Sequence, residues 1–335
     1  MGPQTRSADE DKKVSQIHSI CREIRSIYDA GTPFYTKDAI RKVGEELRRF
    51  QKGERPDGGN IILKGVNGVD YEVFVNPLTR DPLGENEHLG AAKWMIRYHS
   101  VNCLTTYPYK HADFFDFPSA YLPMRIFPPI MWLRDDHPVY RIPPTPPAED
   151  FSAYQAIERQ WRTTQHYERL QEILATVEIP FALTKLVALA LGPFTIKSRL
   201  LDRPVLQHAL VSAIHSTLVQ RGILSLSSER YVQDPAYTQR DRDILDSLGL
   251  TVLYDPQAFL ELDESSVLVC ISPNPPVNEI VADICRPGII IWDRESQILP
   301  YSPRVKSMVG NEYYEIEIPT HEGFGNLVML VRKST

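Results

Sequence analysis

The chain has 335 residues, 42% hydrophobic and 10% aromatic, which suffices for one large globular domain or two modest ones. A formal net charge of −6 gives no global attraction to nucleic acid, so no DNA partner is expected. The longest apolar run, near Leu186 to Leu191, falls far short of the ~18 residues a membrane span needs, and Met1 to Lys13 lacks an apolar signal core. A cytoplasmic protein without a membrane partner is expected, or a nuclear one if it acts in regulation.

In chain order, residues 1–13 are polar and charged and are expected to be a disordered tail. Ile17, Ile20, Cys21, Ile24, Ile27 and Tyr28 then recur at helical spacing. Thr36 is placed to cap a second helix, Lys37 to Phe50, and Gly53 to Gly59 ends it before two strands, Ile61 to Lys64 and Tyr71 to Val75, joined through Asn67-Gly68. From Asn76 to Pro147 aromatics alternate with prolines and only irregular coil is expected. The prolines at 143, 144, 146 and 147 fix φ and predict an extended connector, which sets the boundary between an N-terminal region, 14–147, and a second domain, 148–335.

In the second domain, Tyr154, Ile157, Trp161, Leu170, Ile173 and Leu174 predict one long amphipathic helix. Elements then alternate: strand Thr184 to Leu191, helix Pro204 to Arg221, strand Arg230 to Gln233, helix Asp241 to Leu248 ended by Gly249, and strand Thr251 to Tyr254. Strand Val267 to Ile271, helix Val277 to Ile284 and strand Ile289 to Trp292 follow, and Glu312 to Ile318 with Leu327 to Arg332 form a closing antiparallel pair. Nearly uniformly apolar, β-branched strands separated by helices predict an α/β fold, a Rossmann-like, mostly parallel sheet covered on both faces.

Ligands of such sheets lie beyond the carboxyl ends of the strands. The first strand is followed by Gly192, Pro193, Phe194, Thr195, Ile196, Lys197, Ser198 and Arg199, and the second by Asp234 and Tyr237. Asp255 follows the third, Ser272 and Asn274 the fourth, and Asp293 the fifth. Each of these types also caps helices and makes turns, so convergence on one edge rather than any single residue carries the signal. Ser198 is the nucleophile candidate by position, with Lys197 and Arg199 able to hold an oxyanion or a phosphate. One glycine replaces GxGxxG, and neither GxxxxGK[ST] nor GxSxG occurs, so no nucleotide cofactor is expected. Four scattered cysteines without CxxC spacing predict buried free thiols, and His208 and His215, seven residues apart, are read as core-edge or surface residues; no metal is expected. The cations from Arg22 to Arg55 are interleaved with acids and read as a solvated helix face.

From about Ile179 to Asp293 the chain resembles the SRR1-like family in its fungal form. The residues that carry the likeness are Ala190-Leu191-Gly192-Pro193-Phe194 with Ser198, Gln207-His208-Ala209-Leu210, Asp234-Pro235-Ala236-Tyr237-Thr238, Asp241, Leu245, Leu248-Gly249 and Ser272-Pro273-Asn274-Pro275. That resemblance implies a Rossmann-like fold and relatives linked to circadian, light-signalling and transcriptional regulation. The segment Leu191 to Ser198 is also similar to the loop that carries the acyl-accepting serine of tRNA-dependent cyclodipeptide synthases, and the chain resembles the fungal arginine-containing synthases. Gly192 stands at the usual nucleophile position, which passes the role to Thr195 or Ser198; the DDxxE motif of the arginine-containing enzymes does not occur. The resemblance implies an aminoacyl transferase using aminoacyl-tRNA, arginyl-tRNA among the candidates. Asp234, Asp241 and Asp293 would pair a guanidinium, Lys197, Arg199 and Arg203 would bind tRNA phosphates, and Tyr237 would serve proton transfer. The alternative is a non-catalytic regulatory protein that binds a protein or small ligand.

Overall fold

Apolar residues at Ile17, Cys21, Ile24 and Tyr28, all buried, define one stripe of helix α1 (Ala8–Asp29). The helix starts at Ala8, so residues 8–13 of the expected tail are its first turns. The computed structural model describes residues 8–55, 58–75, 81–82, 87–91, 94–106, 117, 119–127, 130–134, 137–138, 147–194, 202–298 and 300–334. The chain divides into two compact units, Met1–Val139 and Tyr140–Thr335. The connector prolines at 143, 144 and 146 lie outside the described residues, and Pro147 opens a helix.

In the first unit, Thr36 caps α2 (Lys37–Gln51) by accepting the Ala39 N–H, and Ile40, Val43, Leu47 and Phe50 form its buried stripe. Strands β1 (Gly59–Lys64) and β2 (Asp70–Val75) pair antiparallel, as the Asn-Gly signal predicts. The next stretch is not the coil its prolines suggest. It holds β3 (Asp81–Pro82), β4 (Glu87–Ala91), β5 (Met95–Tyr98), helix α3 (Val101–Thr106), β6 (Met124–Phe127), β7 (Ile130–Arg134) and β8 (His137–Pro138). These make a sheet of order β3-β4-β7-β8 and a separate β5-β6 pair. β3 and β8, of two residues each, are too short for alternation to be readable in a sequence.

The second unit begins with two helices where one was predicted: α4 (Pro147–Arg162) and α5 (Gln165–Thr176). The break comes where the Thr164 hydroxyl turns back to accept the Tyr167 N–H, ending one helix and capping the next. There follow β9 (Lys185–Leu189), α6 (Asp202–Gln220), β10 (Glu229–Gln233), α7 (Gln239–Ser247), β11 (Thr251–Val252) and α8 (Gln257–Glu261). Then come β12 (Ser266–Cys270), α9 (Val277–Ile284), β13 (Ile289–Asp293), α10 (Pro303–Glu312), β14 (Tyr313–Glu317) and β15 (Leu327–Arg332). Helices α8 and α10 are absent from the sequence reading; the first, Gln257–Glu261, is too short for helical periodicity to emerge.

The seven strands run in the order β11-β10-β9-β12-β13-β15-β14. The first five are parallel, and β15 lies antiparallel between β13 and β14. One face, with Leu186, Ala188, Val232, Val267, Val269, Ile289 and Ile291, packs with buried residues of α4, α5, α6 and α7. The alternate residues Val187, Leu189, Leu268, Cys270, Ile290 and Trp292 are also buried, as are Ala258, Phe259, Ile280, Val281, Val305 and Met308 on α8, α9 and α10. A strand buried on both faces has no polar side to alternate with, hence the continuous apolar runs. The chain leaves β9 toward one face and β12 toward the other, so the switch point of the sheet lies between their carboxyl ends.

Candidate functional site

The strand ends at this point are in register. Gln233, Leu189 and Cys270 stand level on β10, β9 and β12, so Asp234, Ala190 and Ile271 are the next residues out. Three residues after β9, Gly192 takes φ +74°, and a Cβ there would also press on Pro204 at 3.3 Å, so glycine suits both the turn and the approach of α6. Among the described residues only Ala190 (φ +58°) and Ser272 (φ +47°) take left-handed backbone without being glycine, and they follow the two strands that flank the switch point.

On the β9–β10 side the polar groups satisfy one another. Asp234 accepts the Gly192 N–H at 2.9 Å through one oxygen and the Ala236 N–H at 2.9 Å through the other. Burial raises its carboxyl above the usual range, the backbone donors oppose the rise, and the charge of Asp241 adds to it. Asp241, read from the sequence as a substrate carboxylate, is fully buried. Its oxygens accept from Phe194 N at 2.8 Å, Thr238 N at 2.7 Å and Thr238 Oγ1 at 2.6 Å, so it ties the turn after β9 to the start of α7. Thr238 and Asp241 together form a capping box for that helix.

His208 is a core residue, a correction to its reading as core-edge or surface. Its Nδ1 lies 2.6 Å from Pro204 O and its Nε2 2.8 Å from the Tyr237 hydroxyl. The first contact fixes the proton on Nδ1, which leaves Nε2 to accept from Tyr237. Burial pushes the imidazole down to about 4 and the Tyr237 hydroxyl well up, so both are neutral near pH 7. Tyr237, expected to move a proton for substrate, is buried with its hydroxyl committed to His208. Phe194 packs against the same imidazole, ring centres 4.3 Å apart.

The β12–β13 side is open. Ser272 is exposed; its N–H donates to Asp293 Oδ2 at 2.6 Å and its hydroxyl to Oδ1 at 3.1 Å. Burial raises the Asp293 carboxyl, against the pull of these donors. Between the two sides Cys270 is fully buried, and burial, then Asp293, then Asp234 push its thiol well up. Both carboxylates therefore bear on the same point of the sheet. Asn274 is exposed, Pro193 is half-buried, and Asp255 Oδ1 accepts from the Gln233 amide at 3.2 Å. Gln233, missed from the sequence, also accepts the Ala258 N–H at 2.9 Å and so fixes the turn after β11; in the polar-ended strand Glu229-Arg230-Tyr231-Val232-Gln233 nothing local marks it.

Arg203 is exposed and donates to Glu322 O at 3.0 Å. Thr195, Lys197, Ser198 and Arg199 lie outside the described residues. Among the described residues no group of three or more histidines, cysteines or acids could hold a metal ion, and no helix is long and apolar enough to cross a membrane. Cys21, Cys270 and Cys285 are buried free thiols; Cys103 is half-buried. A groove of about 550 Å³ runs along α5, lined by Gln165, His166, Glu168, Arg169, Glu172, Pro319 and Thr320. None of the strand-end residues lines it, and Arg169 pairs with Glu172 at 2.7 Å in the open, so its charges read as a solvated surface.

This is a Rossmann-like α/β unit with its candidate site at the switch point. The family model described as the SRR1 domain matches residues 170–312, and the chain thus carries an SRR1-like domain. No curated protein matches the chain significantly. Among solved structures, a protein from Corynebacterium glutamicum is similar at 9% identity, with 56% of this chain and 91% of that chain covered and a TM-score of 0.31. The structure described as MtNAS in complex with MTA and tNA is similar at 15% identity, with 56% of this chain and 70% of that chain covered and a TM-score of 0.32.

Proposed function

We propose that the SRR1-like unit is a group transferase whose substrate carries a ribonucleoside held at the switch point. The transferred group in this reading is an aminoacyl residue on the terminal adenosine of a charged tRNA, and the product a cyclic dipeptide. Asp234 is the observation that carries it. A carboxylate at the end of the second parallel strand, beside the glycine of the first turn, is where open α/β sheets receive ribose hydroxyls. Each Asp234 oxygen takes one backbone N–H and has a second lone pair to offer. The turn has a single glycine and lacks the multi-glycine cradle of a pyrophosphate, which favours a ribose without one.

Calorimetric titration with adenosine and with 2′,3′-dideoxyadenosine tests the binding half. Adenosine should bind, the dideoxy compound should not, and Asp234→Asn should weaken adenosine at least tenfold, about 1.4 kcal/mol. Expression with a supply of charged tRNA, followed by mass spectrometry for diketopiperazines, tests the transfer half. If adenosine does not bind and no product forms, the reading fails, and a regulatory protein that retains a stable partner in pull-down takes its place.

A further inference from the structure

The far side of the switch point contains a hydroxyl that a purely structural role does not explain. Ser272 holds a left-handed φ of +47°, which strains an L-residue and which glycine adopts freely. Its N–H already ties the turn to Asp293 at 2.6 Å, and a glycine would make that bond equally well. The side chain is nonetheless a serine, exposed beyond the carboxyl end of β12, with its Oγ 3.1 Å from Asp293 Oδ1. Asp293 is the last residue of β13, and its own carbonyl oxygen accepts from the Tyr301 hydroxyl at 2.9 Å, which steadies the strand end behind the carboxylate.

Ser272 stands two residues beyond the end of β12 and five before α9, on the strand-to-helix connection at the carboxyl edge of the sheet, where α/β enzymes place their reacting groups. A base within hydrogen-bond reach is the second requirement of an activated hydroxyl. We infer that Ser272 is the acyl-accepting nucleophile of this site and Asp293 its general base. The inference deepens the group-transfer reading and takes its acyl substrate class from it, while the assignment of nucleophile and base stands on the local geometry.

In the first step Ser272 Oγ bonds to the carbonyl carbon of an activated ester as its proton passes to Asp293. The C–O bond to the leaving alcohol breaks, and that oxygen takes the proton from Asp293, leaving an acyl-serine and a neutral alcohol. In the second step an amine attacks the acyl carbon and gives a proton to Asp293. The acyl–Oγ bond breaks, and Oγ recovers the proton as the amide departs.

A fluorophosphonate probe tests this on the full chain, by intact mass followed by peptide mapping. Ser272 should carry the adduct, and Ser272→Ala should abolish it in protein whose circular dichroism is unchanged. Ser272→Gly, which relieves the backbone, serves as a second variant should the alanine form fold poorly. The labelling rate should rise with pH as Asp293 ionises, and Asp293→Asn should slow labelling at least tenfold and flatten that profile. An adduct on Ser198 or Thr195, or no adduct on any residue, overturns the inference. Labelling of Ser272 without adenosine binding would sink the ribonucleoside reading alone, whereas adenosine binding without labelling would sink only the nucleophile.

Discussion

On the β9–β10 side of the switch point a carboxylate, an imidazole and a phenol are turned on one another and on the backbone, whereas on the β12–β13 side an exposed hydroxyl stands beside a half-buried carboxylate. Asp241 and His208 are both fully buried, and each has its polar atoms met by chain atoms. Ser272 is exposed and strained. The same residue types thus do different work according to what surrounds them. Buried polar groups must be satisfied internally and so hold loops in place, while an exposed hydroxyl keeps its capacity for a ligand.

The sharpest way to break this contrast is Asp241→Ala. It strips the acceptor from Phe194 N, Thr238 N and Thr238 Oγ1, and should cost about 3–5 kcal/mol in urea unfolding. A loss under about 1 kcal/mol would show that the clamp is dispensable. Acid should have a comparable effect through His208. Its imidazole is lowered from 6.5 to about 4 in the fold, so the unfolded chain binds a proton that the native state refuses. The stability this supplies is full above pH 6.5 and is lost as pH falls toward about 4, by about 3 kcal/mol. Asp234 and Asp293, with raised carboxyls, act with the opposite sign, so the difference between wild type and His208→Gln isolates the imidazole. Equal slopes in the two proteins would sink the assignment.

The smallest expected change sharpens the far side. Ser272→Gly should raise stability by about 0.5–1 kcal/mol, read as a higher melting temperature, because relief of the left-handed strain exceeds the added freedom of the unfolded chain. Destabilisation instead would mean that the hydroxyl is a structural cap like those across the crevice.

The parallel sheet was legible in the sequence because a doubly buried strand writes itself as an apolar run, and α9 and β15 have the bounds the residues suggested. Thr36 and Asn67-Gly68 were legible for another reason: caps and tight turns are local chemistry. What escaped depends on distance in the chain. Nothing adjacent to His208 announces Tyr237, 29 residues on, and nothing beside Asp241 announces Phe194, 47 residues back. Neither residue type signals the left-handed backbone at Ala190 and Ser272. Apolar positions lapse between Trp161 and Tyr167, and the break there rests on Thr164, whose capping role shows in its bond from the Tyr167 N–H.

The placement of β15 between β13 and β14 leaves two margins to the sheet, and neither invites another chain. At one, β11 offers only Thr251 and Val252. At the other, β14 presents Glu315 and Glu317 beside Arg294, which they meet at 3.4 and 2.7 Å. A neighbouring strand would find too little backbone on one side and charged side chains on the other, so edge-to-edge growth is blocked at both ends. The unit can therefore keep Ser272 exposed at its strand ends without becoming a template for its own aggregation.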